Sequence, residues 1–179
     1  TDSSAASDVY KRQDLVGHCV GNTLCLFQFV EKHGEPLYNI INDKYKDRKV
    51  FFVYGGVSTD TREEIREIVE NETDAIIVAS YGTFSTGINI RNIDNIVFAS
   101  PSKSKIRVLQ SLGRGLRLGD KSKSLKVFDL ADDLTSAGGR INFTLRHFQQ
   151  RLNIYDEQKF DYKIDCLLYT SDAADESVC

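Results

Sequence analysis

The stretch Ala75-Ile-Ile-Val-Ala-Ser80 is a short, continuous apolar run that ends at a hydroxyl residue. A run of this length, without polar residues in alternation, is typical of a strand that is buried on both faces of a parallel sheet. Four further segments indicate strands, at residues 23–28, 49–54, 95–99 and 125–130. Residues 81–92 are expected to form a glycine-containing loop.

Helical patterns separate the predicted strands. Proline is well tolerated at the first helical position, so Pro36 indicates a helix that continues to about Tyr45. The next helix is predicted to begin at Asp60 or Thr61, each of which has a glutamate three residues later, as in a capping box. Its buried stripe is expected to contain Ile65, Ile68 and Val69.

Two more helices are predicted in the second half of the chain. The first follows Ser102 or Ser104, and its buried arc is expected to contain Val108, Leu109, Leu112 and Leu116. The second is predicted from helical spacing of Leu145, Phe148, Leu152 and Tyr155. The basic residues of this second helix are expected to be solvated, with bracing of duplex or junction DNA as the alternative; they are Arg146, His147 and Arg151.

The alternation of buried strands with helices predicts an α/β fold, in which a parallel sheet is covered by helices on both faces. Ligands of such sheets gather at the carboxyl ends of the strands. The Gly55-Gly56 turn, residues 80–89 and the start of the helix after Ser104 all follow predicted strands. We therefore expect these segments to share one functional edge.

The two ends of the chain have an unusual relation. Residues 3–13 and 166–176 can be encoded by one DNA segment and its reverse complement in a shifted frame, as expected of a translated sequencing adapter. Residues 1–13 and 166–179 are therefore expected to be a non-native leader and tail, although a natural leader and tail are the alternative. The remaining residues, 14–165, are expected to form one domain and to be a piece of a longer protein.

Charge and cysteine content restrict the classes of protein to which this chain can belong. Acidic and basic residues balance in 14–165, but residues 95–128 contain eight Lys or Arg and one acid. This basic stripe is weak evidence for a phosphate or nucleic-acid ligand, and a solvated face explains it equally well. Cys19 and Cys25 lack metal-ligand spacing, and no apolar run is long enough to span a membrane. We expect a reduced, cytoplasmic protein with no structural metal and no membrane partner.

The segment Gln110-Ser-Leu-Gly-Arg114-Gly-Leu-Arg117 indicates an anion site. In a helix, Gln110, Arg114 and Arg117 lie on one face, and two guanidinium groups placed in this way can reach one polyphosphate. The residues 14–165 contain neither a phosphate-cradling Walker loop nor an acidic metal strand. The chain is therefore not expected to bind and split a nucleotide alone.

These motifs resemble those of superfamily two helicases. Gln110-x-x-Gly113-Arg114-x-x-Arg117 is similar to motif VI, and the stretch from Ala79 through Gly87-Ile-Asn89 is similar to motif V. Residues 22–30 and 50–56 resemble the motif IV region and the strand after it. The order and spacing resemble the second RecA-like lobe over 14–165. The sequences of residues 79–88 and 156–162 resemble most those of the UvsW-type DNA helicases of tailed phages.

The resemblance implies a role for each matching residue. It assigns Arg114 and Arg117 to catalysis, as arginine fingers that reach the γ-phosphate of ATP. It assigns nucleotide contacts to Gln110, Gly87 and Asn89, and nucleic-acid backbone contacts to Ser80, Gly82, Gly55 and Gly56. Two positions depart from the common pattern, since the family usually has Asp at Asn89 and Thr at Ser80.

The resemblance also implies an activity for the whole protein. That activity is an ATP-dependent DNA helicase or translocase that unwinds forks, junctions or R-loops, or drives branch migration. The cofactor would be ATP with Mg2+, whose ligands lie mainly on a first RecA-like lobe that is absent here, so this fragment alone is expected to be inactive. The partners would be that lobe and DNA, both single-stranded and branched. The alternatives are an RNA helicase, a restriction-type translocase, and a non-catalytic nucleic-acid-binding adaptor domain.

Overall fold

The computed structural model describes residues 15–87, 90, 92–100, 109, 124–132 and 143–165. Within them lies a five-stranded sheet with the order β2-β3-β1-β4-β5, in which every neighbouring pair is parallel. The strands are β1 (Thr23–Phe27), β2 (Val50–Val53), β3 (Ile76–Ser80), β4 (Asn95–Phe98) and β5 (Lys126–Asp129). The predicted parallel α/β sheet is confirmed, and each strand lies within its predicted run.

The helices differ more from the prediction than the strands do. The longer ones are α1 (Glu35–Lys44), α2 (Thr59–Asn71), α3 (Tyr81–Gly87) and α4 (Phe143–Glu157), with a π-helical turn at Val30–Gly34. The loop predicted for 81–92 is wrong in its first part, because residues 81–87 are helical. The predicted start of α2 is also wrong. Ser58 caps this helix, and its side chain accepts a hydrogen bond from the Thr61 amide.

Each face of the sheet has its own apolar cluster, which confirms helices on both faces. Alternate residues of β1 divide between the clusters, so that Leu24 and Leu26 point to one side while Cys25 and Phe27 point to the other. The first face packs against Val69 of α2 and Tyr155 of α4, and the second packs against Leu37 and Ile41 of α1. Val69 is buried as predicted, whereas Ile68 is wrong as a core residue because it is 40% exposed.

A buried amide fastens the amino-terminal edge of the sheet. The Asn22 side-chain nitrogen lies within 3.2 Å of the carbonyl oxygens of Val69, Glu72 and Asn92. Its side-chain oxygen accepts a hydrogen bond from the Ala75 amide at 2.8 Å. One side chain thus joins the segments that enter β1, β3 and β4.

The carboxyl end of α4 adopts a Schellman turn. The Phe160 amide donates to the carbonyl of Tyr155, and the Lys159 amide donates to that of Asp156. Lys159 has a φ of 57°, which is the left-handed conformation that this turn requires. The Phe160 and Tyr155 rings lie 6.4 Å apart, as expected for the apolar contact of the motif. Part of the 156–162 sequence noted above therefore serves to end a helix. No helix within the described residues has the length and apolar character needed to cross a membrane.

Candidate functional site

The carboxyl ends of β2, β3, β1 and β4 form one continuous edge. The register pairs Val53 with Ala79, Ser80 with Phe27, and Leu26 with Phe98, so the strands end at nearly the same level. The chain leaves β1 toward β2 on one side, and it leaves β4 toward β5 on the other. Such a reversal of direction is where open parallel sheets bind their ligands. The predicted site segments 55–56 and 80–82 lie at this edge.

Ser100 ties together three of the strand ends. Its hydroxyl accepts a hydrogen bond from the Gln28 amide at 2.9 Å, just beyond β1. Its carbonyl accepts a buried hydrogen bond from the hydroxyl of Tyr81, which follows β3, also at 2.9 Å. Ser100 and Tyr81 carry no signal in the sequence, because their contacts join residues that are far apart along the chain. Together they hold the edge rigid between β3 and β4.

Ser80 is half-buried and caps α3. Its hydroxyl accepts a hydrogen bond from the Thr83 amide at 3.2 Å and lies 2.7 Å from the Thr83 hydroxyl. The residue has a structural reason to be serine or threonine, since a hydroxyl oxygen at this position satisfies a helix amide. Its predicted contact with a nucleic-acid phosphate stays a prediction.

The three edge glycines have different environments. A Cβ atom added to Gly56 would lie 2.6 Å from the Tyr54 ring, so internal packing accounts for this glycine. A Cβ on Gly55 or on Gly82 would meet no described atom within 4 Å. Neither residue has a positive φ, which among the described glycines is found at Gly21. The described fold therefore does not explain why these two positions lack a side chain.

The predicted nucleotide-binding residues are only partly described. Gly87 is the last residue of α3. Asn89, Gln110, Arg114 and Arg117 lie outside the described residues, so their predicted roles stay predictions. Leu109, directly before Gln110, is helical and 4% exposed, and it belongs to the same apolar cluster as Tyr155. Its burial confirms the prediction that Leu109 lies on the apolar arc of this helix.

Arg151 does not present its charge to solvent. It is 4% exposed, and its guanidinium binds both carboxylate oxygens of Asp129, at 2.5 and 3.0 Å. The Tyr155 hydroxyl donates to the same carboxylate at 2.6 Å. Burial, followed by the charge and hydrogen bond of Asp129, raises the pKa of Tyr155. Both predicted roles for Arg151, as a solvated charge and as a DNA brace, are wrong.

The remaining chemistry of the described residues is limited. No group of three His, Cys, Asp or Glu side chains among them could hold a metal ion. Cys19 and Cys25 are buried free thiols, and burial raises the pKa of both. A buried thiol with a raised pKa is a poor nucleophile and a poor metal ligand. We therefore assign no chemical role to either cysteine.

Residues 11–119 match the model of the helicase conserved C-terminal domain, and the chain belongs to that family. It is 38% identical over 153 residues to the ATP-dependent DNA helicase uvsW of Enterobacteria phage T4, a match that covers 79% of this chain and 29% of that protein. It is 26% identical over 176 residues to the putative ATP-dependent helicase IRC3 of Saccharomyces cerevisiae, covering 86% of this chain and 24% of that protein.

The fold agrees with the family. The crystal structure of T4 UvsW matches with a TM-score of 0.71 at 34% identity, over 89% of this chain and 34% of that one. The predicted RecA-like lobe of a superfamily two helicase is thus confirmed. The chain spans less than a third of the length of the two curated relatives, at 29% and 24%.

Proposed function

We propose that this chain is the C-terminal lobe of an ATP-dependent DNA helicase that acts on forks, junctions or R-loops. The observation that supports this most is the family match together with 38% identity to a helicase whose name specifies DNA. The whole protein would supply a first RecA-like lobe that holds ATP and most ligands of Mg2+. It would work in the cytoplasm.

The carboxyl edge of the sheet would hold the backbone of one DNA strand. Gly55 and Gly82 support this role, because a Cβ atom added at either position would meet no described atom within 4 Å. A missing side chain lets main-chain amides approach a phosphate closely. Ser80 would add a hydroxyl contact next to Gly82, while it also caps α3.

Arg114 and Arg117 would complete the ATP site from this lobe. Closure on ATP would bring the two guanidinium groups to the γ-phosphate, where they stabilise the charge that develops during phosphoryl transfer. Gln110, Gly87 and Asn89 would contact the nucleotide around them. Hydrolysis would reopen the cleft and move the grip of this lobe along the strand.

The full-length protein tests this function. We expect DNA-stimulated ATP hydrolysis and ATP-dependent separation of a forked duplex by the unmodified protein. Gly82→Val should lower DNA affinity about tenfold by holding a phosphate away, at little cost in fold stability. Gly21→Val, at a positive φ on the opposite edge, should destabilise the fold without a specific effect on DNA. A protein that shows neither DNA-stimulated hydrolysis nor strand separation would refute the proposal.

A further inference from the structure

An exposed aromatic ring stands in the middle of the carboxyl edge. Phe29 follows the central strand β1 and is 56% exposed. Five other large apolar side chains among the described residues are exposed. They are Val20, Ile68, Val127, Tyr162 and Ile164. Phe29 follows β1, which pairs with β3, the strand that precedes Gly82 of the proposed DNA path.

The backbone that presents Phe29 is fixed on both sides. The Phe29 carbonyl accepts hydrogen bonds from the amides of His33 and Gly34, both at 3.0 Å, which close the π-helical turn. Gly34 packs so tightly that an added Cβ would lie 2.6 Å from the Phe27 ring. Before Phe29, the Gln28 amide is held by the Ser100 hydroxyl. Single π-helical turns are rare and concentrate at functional sites.

The surroundings of the ring favour a small, flat ligand. The neighbouring side chains Gln28, Glu31 and Lys32 are exposed and polar, so the ring is not part of a broad apolar patch. A protein interface normally needs a contiguous apolar area much larger than one ring. The Phe29 ring contacts the His33 ring at 5.5 Å with planes tilted by 54°, so the two rings are not stacked face to face. One base could cover the exposed face of Phe29.

The register places this ring next to the proposed strand path. Phe27 pairs with Ser80, and Phe29 comes two residues after the end of β1, directly before the π-helical turn. Adjacent strands are about 4.8 Å apart. A DNA strand that crosses the ends of β3 and β1 would therefore pass both Gly82 and the turn that carries Phe29. Stacking on an aromatic ring suits any base, as a motor that moves along DNA requires.

We propose that Phe29 is a stacking platform for an unpaired nucleobase of the bound strand. This inference rests on the proposed function, since it requires a single strand at the carboxyl edge. It adds a contact to a base, whereas the glycines and Ser80 would contact the backbone alone. The ring would hold one base between steps and resist slippage of the strand.

Binding of the full-length protein to two oligonucleotides tests the proposal. One is a thymidine strand, and the other has the same length and phosphates but abasic sugars. We expect Phe29→Leu to weaken binding of the thymidine strand about tenfold and to leave binding of the abasic strand unchanged. Phe29→Trp should retain or improve the affinity for thymidine. Val20→Leu, an exposed site at the opposite edge, is the matched control and should change neither affinity.

The outcomes separate this inference from the proposed function. If Phe29→Leu binds both strands as the unmodified protein does, the stacking role is overturned and the helicase function stands. If Phe29→Leu weakens both strands equally, the ring supports the fold or the backbone path, and the stacking role is again overturned. If the unmodified protein binds neither strand, the proposed function fails and the inference fails with it.

Discussion

Arg151 and Asp129 form a bidentate ion pair in which the side chains are only 5% and 7% exposed. Asp129 is the last residue of the edge strand β5, and Arg151 lies on α4. The Tyr155 hydroxyl satisfies the same carboxylate, and the Arg151 guanidinium lies 5.5 Å from the centre of the Phe148 ring. The pair fastens α4 to the outermost described strand, against the cluster that also contains Leu109.

Removal of both partners of this pair should cost less than the sum of the two single removals. Arg151→Leu leaves a buried carboxylate without its cation, so we expect a loss of about 3 kcal/mol in the free energy of unfolding of the chain. The double variant Asp129→Asn with Arg151→Leu should lose less than the sum of the single variants. Urea unfolding of all four proteins measures the coupling. Arg146→Leu, an exposed site on the same helix, is the control and should change stability by less than about 0.5 kcal/mol. Additive losses would show that the two charges are independent.

The Tyr81–Ser100 hydrogen bond is expected to stabilise the fold. Tyr81→Phe keeps the ring that lies 6.2 Å from Phe98, but it leaves the buried Ser100 carbonyl without this donor. We expect a loss of about 1–2 kcal/mol in unfolding free energy. Tyr38→Phe, at a half-buried ring stacked on Phe52, provides a comparison without that contact. Equal stabilities of Tyr81→Phe and the unmodified chain would contradict the structural role of this bond.

The sheet could be predicted well from the sequence, because a strand that is buried on both faces is a continuous apolar run. The apolar runs around β1, β3 and β4 have few polar interruptions, and a parallel sheet requires this composition. Helix α3 was missed because Gly82, Ser85 and Thr86 are weak helix formers. Its stability comes partly from the Ser80 cap and from Tyr81, whose partner Ser100 is 19 residues away.

The sequence predicted the position of candidate site residues only where they directly follow a strand. Gly55, Gly56 and Gly82 were placed at the correct edge by topology alone. Phe29 was not predicted as a site residue, because the sequence around a phenylalanine that follows an apolar strand does not show that its ring is exposed. Arg151 was taken for a solvated charge because its partner Asp129 is 22 residues distant. Such ion pairs depend on the tertiary fold, and they cannot be read from the spacing of residues along the chain.

The Schellman turn predicts a stabilising substitution. Lys159 has a positive φ, which costs a residue with a Cβ atom about 1 kcal/mol relative to glycine. We expect Lys159→Gly to raise the unfolding free energy by about 0.5–1 kcal/mol and to raise the melting temperature. Gln158→Gly, one residue earlier and without a positive φ, should lower stability, because glycine there only adds freedom to the unfolded chain. The opposite order of the two variants would refute the assignment of this turn.

The proposed function requires this lobe to complete an ATP site with Arg114 and Arg117. The most direct measurement compares Arg117→Ala with the unmodified full-length protein, in both DNA-stimulated ATP turnover and affinity for single-stranded DNA. We predict that turnover falls at least about a thousandfold, the typical contribution of an arginine finger, while DNA affinity changes less than about threefold. Turnover by Arg117→Ala equal to that of the unmodified protein would rule out the arginine-finger role of Arg117.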